Sequence, residues 1–419
     1  MGRNAVYCSS SQEIGQDDHV HPSFLMFQTL DTKNICHAVY EDGVFHFDGF
    51  ETASTKTWSY HHATDKEDMQ IASIWANGGS LKDCCPADVM PGYLEIEKKL
   101  QAFNMAFSAV DFNIEEWCIY DFMPLSFLID LCEVKNKITE NVLQNYTKPK
   151  SYDHLLSVHR LLSEMNYKDV LFDFDVAAQV STTRALQGKL RTLRGVNKWV
   201  HYDPYGTITG RLSTKPGSFP ILNLPHEFKT AVRPHNDLFV ELDFNAAELR
   251  TMLALAGKEQ PEEDIHAWNM KNVFSRIDNR DHAKKKAFQW LYGKTAANKT
   301  LEKVYDKEKI KLDWFHHDFV KTPYGRAIEC DEDHAINYVI QSTTADVVYE
   351  SSSKVAKLLE DRQTNIAFIV HDCIVLDLSK KDFDLIDDMV HSFSNTRFGN
   401  FRTSLKAGKT YGGLKEISL

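Results

Sequence analysis

The sequence predicts a mixed α+β architecture, and three features of it do so. Helical periodicity dominates from about 120 to 195, and again from the middle of "LFVELDFNAAELRTMLALAG" (238–257) to about 319. Around these stretches only a few short apolar segments have the length and composition of strands. Two of those segments end in an aspartate: Asp243 leaves "LFVEL", and Asp372 sits at the tip of "NIAFIVHDCIVLDL" (365–378).

Bulk properties narrow the class. The 419 residues are enough for two or three domains with sizeable cores. Hydrophobic content of 43% and charged content of 26% are ordinary for a soluble globular protein. No apolar run approaches the roughly 18 residues of a membrane helix. The N-terminus "MGRNAVYCSSSQEIGQDD" lacks the apolar core of a signal peptide and is too acidic for a transit peptide, so a cytoplasmic location is expected. Eight cysteines are scattered without a CxxC pair. Reduced thiols are therefore expected, not a disulfide framework or a zinc ribbon.

The charge is unevenly placed. Residues 1–120 hold 18 acids and 7 bases, which accounts for the whole net charge of −11. Within the balanced remainder, 181–235 carries nine bases (Arg184, Lys189, Arg191, Arg194, Lys198, Arg211, Lys215, Lys229 and Arg233) against Asp203 and Glu227. That local excess suits a phosphate-facing surface, although most basic stretches are only solvated.

Along the chain, 1–120 mixes strand-like pieces such as "HAVYEDGVFHF" with Gly and Pro breaks. In "SYDHLLSVHRLLSEMNY", Leu155, Val158, Leu162 and Met165 trace one helical face. A second helix through Leu186, Leu190 and Leu193 should stop at Gly195 as a C-cap. The stretch 238–257 reads as an apolar strand running into a helix, and 365–378 as two strands meeting at His371–Asp372.

Chemistry concentrates in two places. Strand-end carboxylates such as Asp243 and Asp372 are hard to bury unless paired or bound to a cation. Brought together, they could hold two Mg²⁺ ions roughly 3.5–4 Å apart, the usual clamp for in-line phosphoryl transfer. The second place is "RDHAKKKAFQWLYGK" (280–294), where Arg280, Lys284, Phe288 and Tyr292 recur at four-residue steps. Helical neighbours on one face lie three or four residues apart, so these four form a ribbon about 18 Å long. Ala283, Ala287 and Leu291 repeat on an adjoining face suited to core packing. Two cations followed by two aromatics suit a ligand charged at one end and flat at the other. A nucleoside triphosphate has that shape.

Six ordered segments over residues 200–419 resemble the family A DNA polymerases, the bacterial polymerase I and phage replicative type. "TITGRLSTKPGSFPILNLP" (207–225) is similar to that family's TGRLSS…LQNIP segment, and "DFNAAELR" (243–250) to motif A, DYSQIELR. "RDHAKKKAFQWLYG" (280–293) resembles motif B, and "VHDC" (370–373) resembles motif C, VHDE. "EEDIHAW" (262–268) and "TPYGR…HAINYVIQSTTAD" (322–346) match the family's DIH and its GR…N-x3-Q segments.

The resemblance implies a right-hand polymerase fold. It would have a thumb at 121–200, a palm at 201–250 and 320–419, fingers at 251–319, and a small acidic region at 1–120 acting as an exonuclease remnant or docking module. It implies a DNA-directed DNA polymerase using two Mg²⁺ ions, dNTPs and primer-template DNA, with a separate exonuclease or processivity protein as a further partner. Asp243, Asp372 and the Phe244 carbonyl would hold the metals. Arg280, Lys284 and His266 would grip the triphosphate. Phe288 would stack on the nucleotide, and Tyr292 would stand near the template base. Glu248 would lie under the sugar and exclude a 2′-hydroxyl. Arg211, Asn337 and Gln341 would meet the minor groove, whose acceptors are shared by all correct pairs. His371 would meet the primer terminus.

The pattern is broken in four places. Cys373 replaces motif C's glutamate and Asp333 replaces an arginine four residues before Asn337, while Ala246 and Gln289 replace a glutamine and a glycine. A proofreading domain would need an Asp-x-Glu on an apolar strand; Asp65-Lys66-Glu67 lies in polar "HHATDKEDMQ", and Asp173 and Asp175 lack a third acid. The pairs His61–His62, Cys84–Cys85 and His316–His317 lack zinc-ligand spacing. Rival readings are a single-subunit RNA polymerase, which Glu248 opposes, and a catalytically weakened DNA-binding subunit, which Cys373 and Asp333 favour.

Overall fold

The computed structural model describes residues 26–417 apart from 34, 48–52, 275, 276, 278 and 294–297. At the N-terminal end, β1 (Phe27–Thr29), β2 (Val39–Glu41) and β3 (Val44–His46) form an antiparallel sheet. The longer helices that follow among the described residues are α1 (Met90–Ala109), α2 (Leu125–Asn145), α3 (Tyr152–Met165) and α4 (Arg184–Leu193). Then come β4 (Leu238–Phe244), α5 (Ala247–Leu255), α6 (Ile265–Asn272) and α7 (Arg280–Tyr292). The long helix α8 (Glu332–Leu358) leads into the hairpin β5 (Asn365–Val370) and β6 (Cys373–Leu378). Helix α9 (Ile386–Ser394), β7 (Thr403–Gly408) and β8 (Lys415–Glu416) complete the set that positions the site.

The main sheet has the order β5-β6-β4-β7-β8, antiparallel throughout. Its register sets Asp243 opposite Cys373 on one side and opposite Ser404 on the other. Period-two alternation sends Val240, Leu242, Ile374 and Leu376 into the core shared with Val347, Val348 and Val355 of α8. Glu241, Asp243, Ser404 and Lys406 alternate with such core positions along β4 and β7.

A second core gathers Leu249, Met252 and Leu253 of α5, Ala283, Ala287, Trp290 and Leu291 of α7, and Ala335, Val339 and Ile340 of α8. Helices α5 and α8 thus belong to both cores, and this sharing fixes α7 relative to the sheet. Each large apolar side chain buried there contributes roughly 1.5–3 kcal/mol. Leu291→Ala would remove about 2–5 kcal/mol and loosen α7 first.

The expected face of α3 is seen: Leu155, Val158, Leu162 and Met165 are all buried. Helix α4 ends at Leu193 with Arg194 as cap, and Gly195 lies outside the left-handed region, so it is no αL cap. The helical region expected to reach 319 ends at Trp314, where a small sheet (Phe315–His316, Phe319–Lys321, Ala327–Glu329) begins. The twenty-residue α1 was not legible in the sequence, because only Ile96 of it is buried and its face carries little periodic signal.

The expectation of reduced thiols throughout fails at one pair: Cys36 and Cys118 are joined as a disulfide, while Cys84, Cys85, Cys132, Cys330 and Cys373 are free. The two partners lie 82 residues apart and share a core with Leu30, Tyr40, Phe127 and Leu128, so spacing alone could not pair them. That core includes residues of α2, so position 120 marks no break in packing.

Candidate active site

Three junctions aim side chains into one cavity of about 1130 Å³, lined by Asp243, Phe244, His266, Arg280, Lys284, Phe288 and Asp372 among others. The first is the exit from β4. Ala246 adopts a left-handed conformation (φ 51°), reversing the chain so that α5 begins one residue later. The second is the β5–β6 turn, where His371 is also left-handed (φ 56°) and Asp372 follows. The third is the start of α7, capped by Asn279, whose side chain accepts the N–H groups of Asp281 and His282.

The two strand-end aspartates meet here. Neither has an ion-pair partner among the described residues. Burial, followed by repulsion from Asp372, pushes the Asp243 carboxyl up to about 7, against help from Lys406. Burial likewise raises Asp372, with Glu248 adding to it. Two half-buried carboxyls that raise their proton affinity are short of a cation, and their hard oxygens suit a divalent one. Among the described residues no three His, Cys, Asp or Glu side chains converge as a ready-made cage.

Opposite them lies the α7 ribbon. Lys284 is exposed, Phe288 is half-buried, and the Phe288 and Tyr292 rings lie parallel within 10°, centroids 6.1 Å apart. His266, only 2% exposed, also borders the cavity. Burial lowers its pKa to about 4, so the imidazole is neutral at pH 7. Its Nδ1 is buried without a hydrogen-bond partner, the kind of orphan a ligand would satisfy.

Glu248, Tyr292, Arg211 and Gln341 form a separate cluster beside the cavity. The Glu248 carboxylate accepts hydrogen bonds from the Arg211 guanidinium and from the Tyr292 hydroxyl, which also bonds Gln341. Arg211 follows Gly210, which has a left-handed φ of 73° and where a Cβ would stand 2.8 Å from the Arg326 guanidinium. Arg326 is itself fixed by a buried pairing with Asp346 at 2.8 Å. Asn337 lies one turn before Gln341 on α8, half-buried, and His371 stays exposed at the turn.

Several contributors were missed in the sequence. Asp264 takes Arg280 in a two-pronged pair (2.7 and 3.1 Å), accepts the Asn245 side-chain amide at 2.6 Å and caps α6 through the Ala267 N–H. Burial works against its charge, but those donors hold its carboxyl well below the usual range. Its position two residues before His266, at a helix start, was the available signal. Arg250, fully buried, donates to the carbonyls of Asn245, Pro261 and Glu263, tying together two loops at the cavity. Arg402, just ahead of β7, and Lys406, within it, also line the cavity, with Lys406 paired to Glu241 at 2.6 Å. Cys373 stands where an acid was expected; burial drives its thiol well above the usual range, so it adds no charge.

Two of the acids weighed for proofreading have structural partners instead. Asp65 pairs with Arg160 at 2.9 Å, and Asp173 caps a short helix while bonding Arg233 at 3.0 Å.

No protein-family model matches the sequence, and no curated protein matches it. Among the described residues no helix is long and apolar enough to cross a membrane. Among solved structures, the POL domain of Pol1 from M. smegmatis, in complex with DNA primer-template and dNTP, matches with a TM-score of 0.55 and 14% identity. The match covers 69% of this chain and 76% of that one. At this identity the likeness lies in the fold: over the matched part the chain shares the mixed α+β fold of that domain.

Proposed function

We propose that this chain is a template-directed DNA polymerase that adds deoxynucleoside monophosphates to a primer 3′ end. The observation that carries the reading is one cavity in which two cation-starved aspartates face the cationic and aromatic ribbon of α7. The relative solved with primer-template and dNTP supports it at the level of fold.

Within this reading Asp243, Asp372 and the Phe244 carbonyl would hold two Mg²⁺ ions, which would supply charge neutralisation and activation of the attacking oxygen. Arg280, Lys284 and a neutral His266 take the triphosphate, Phe288 stacks on the nucleotide, and Tyr292 stands by the template base. Glu248, held by Arg211 and Tyr292, fills the space under the sugar. Arg211, Asn337 and Gln341 read the minor groove, and His371 meets the primer end. The main sheet would be the palm (201–250 and 320–419), α6 and α7 part of the fingers (251–319), and 121–200 the thumb. The acidic residues 1–120 would dock a separate exonuclease or processivity protein.

One observation favours a weaker enzyme: the neutral, buried Cys373 leaves the site one carboxylate short of the family pattern. A primed template incubated with dNTPs or rNTPs in Mg²⁺ decides among the readings. Extension with dNTPs alone is expected. Extension with rNTPs of equal efficiency would move the assignment to an RNA polymerase, and duplex binding without extension would leave a DNA-binding subunit.

A further inference from the structure

Among the described residues four cations line the cavity, and two of them are already held by carboxylates. Arg280 is gripped by Asp264 at 2.7 Å, and Lys406 by Glu241 at 2.6 Å. The other two, Lys284 and Arg402, have no carboxylate partner among the described residues. Lys284 belongs to the α7 ribbon. Arg402 belongs to none of the six sequence segments and has no role so far.

Its placement is specific. The Arg402 carbonyl accepts the Asn245 N–H at 2.8 Å, fixing the residue beside the end of β4, next to Phe244. Its side chain is exposed, and Nη1 makes one long hydrogen bond, 3.3 Å, to the Glu262 carbonyl. That carbonyl lies in the loop that also carries Asp264. Burial, then repulsion from Arg402, lowers the Arg250 guanidinium to about 10, so the guanidinium charges crowd this corner. An arginine so lightly tethered in a cavity bordered by other cations is suited to an incoming anion, and its planar fork matches two phosphate oxygens.

We infer that Arg402 is a further ligand for the phosphate tail of the incoming nucleotide and for the pyrophosphate product, sharing it with Lys284. The inference rests on the polymerase reading of the cavity. Arg280, already bound by Asp264, would then orient the tail, while Arg402 and Lys284 supply the charges that no protein group has neutralised.

The test titrates inorganic pyrophosphate, with Mg²⁺, into the full chain and into its Arg402→Met, Arg402→Lys and Lys284→Met variants by calorimetry. Pyrophosphate affinity is expected to fall about tenfold in Arg402→Met and less in Arg402→Lys, where charge remains but the fork is lost. Primer-template affinity should stay within twofold, and the KM for dNTP should rise about tenfold with kcat little changed. Pyrophosphate affinity and dNTP KM both within twofold of the parent in Arg402→Met would overturn the assignment. If that variant fails to fold, Arg402→Lys decides the matter: an affinity equal to the parent's counts against a bidentate phosphate ligand. Failure of the underlying reading looks different, because Lys284→Met would then also bind pyrophosphate normally and the parent chain would not extend a primer.

Discussion

Asp264 and Asp243 border the same cavity, yet their carboxyls are pushed in opposite directions. Both feel burial, which favours the neutral form. Asp264 is surrounded by donors: Arg280, the Ala267 N–H and the Asn245 amide. Asp243 has Asp372 nearby and only the partial relief of Lys406, which Glu241 already holds, and of Lys284. The contrast separates an acid that has finished its work on folding from a pair that waits for something to bind. Glu248 is a third case, satisfied by Arg211 and Tyr292 yet standing at the edge of the site.

The sharpest way to break this contrast is to remove a waiting acid. Asp243→Asn or Asp372→Asn should reduce primer extension by several orders of magnitude while duplex binding persists, as electrostatic and metal terms each supply several kcal/mol. Primer extension and gel-shift assays on the same preparations check it, and undiminished extension in either variant removes the two-metal assignment.

Next in size is sugar selection. Glu248→Ala should admit ribonucleotides about 10- to 200-fold better, since a clash or an unpaired hydroxyl is worth roughly 1–3 kcal/mol. It should leave dideoxynucleotide rejection unchanged, whereas Phe288→Tyr should relax dideoxy rejection and still exclude ribonucleotides. Single-nucleotide insertion efficiencies for dNTP, rNTP and ddNTP distinguish these outcomes. A ribose penalty untouched by Glu248→Ala would mean that the motif A alignment is wrong.

Asp264→Ala probes the satisfied side. It should release Arg280, raise the KM for dNTP about tenfold and destabilise the fold by about 1–2 kcal/mol through the weakened α6 cap. Unchanged KM with the same loss of stability would reduce Asp264 to a purely structural cap.

The smallest effect separates the two acids by pH in metal-free buffer. Asp243 has a raised folded pKa, so its contribution to stability is full below about 4 and is lost as pH rises through about 7. Asp264 has a depressed one, so its contribution is present above about 4 and is lost as pH falls further. Asp243→Asn should therefore be more stable than the parent at pH 8 by about 1–2 kcal/mol, and Mg²⁺ should narrow the gap. Urea unfolding midpoints at pH 5 and 8, with chelator and with Mg²⁺, measure it. A parent that gains stability between those pH values relative to Asp243→Asn contradicts the raised pKa.

Much of this site was legible in the sequence because its components are local. The four-residue steps of Arg280, Lys284, Phe288 and Tyr292 are a property of one helix, and the apolar runs ahead of Asp243 and Asp372 are properties of single strands. Asp264 was half-legible, since a cap two residues before His266 can be read locally but its grip on Arg280 cannot.

The sequence by itself determined the α+β class, the strand-to-helix junction after Asp243, the hairpin that presents Asp372, and the face of α7 that carries the ribbon. Each follows from side-chain period and backbone preference over fewer than about twenty residues. Only the tertiary structure decided that Cys36 would pair with Cys118, that Glu248 would be shared by Arg211 and Tyr292, and that Arg402 and Lys406 would reach the cavity. The disulfide depends on the separate core around Leu30, Tyr40 and Phe127, the sharing of Glu248 on the core that joins α5 to α7, and the reach of Arg402 and Lys406 on the register of β7 against β4. Register and helix packing are set by how distant apolar faces fill a common volume, and no local period encodes that.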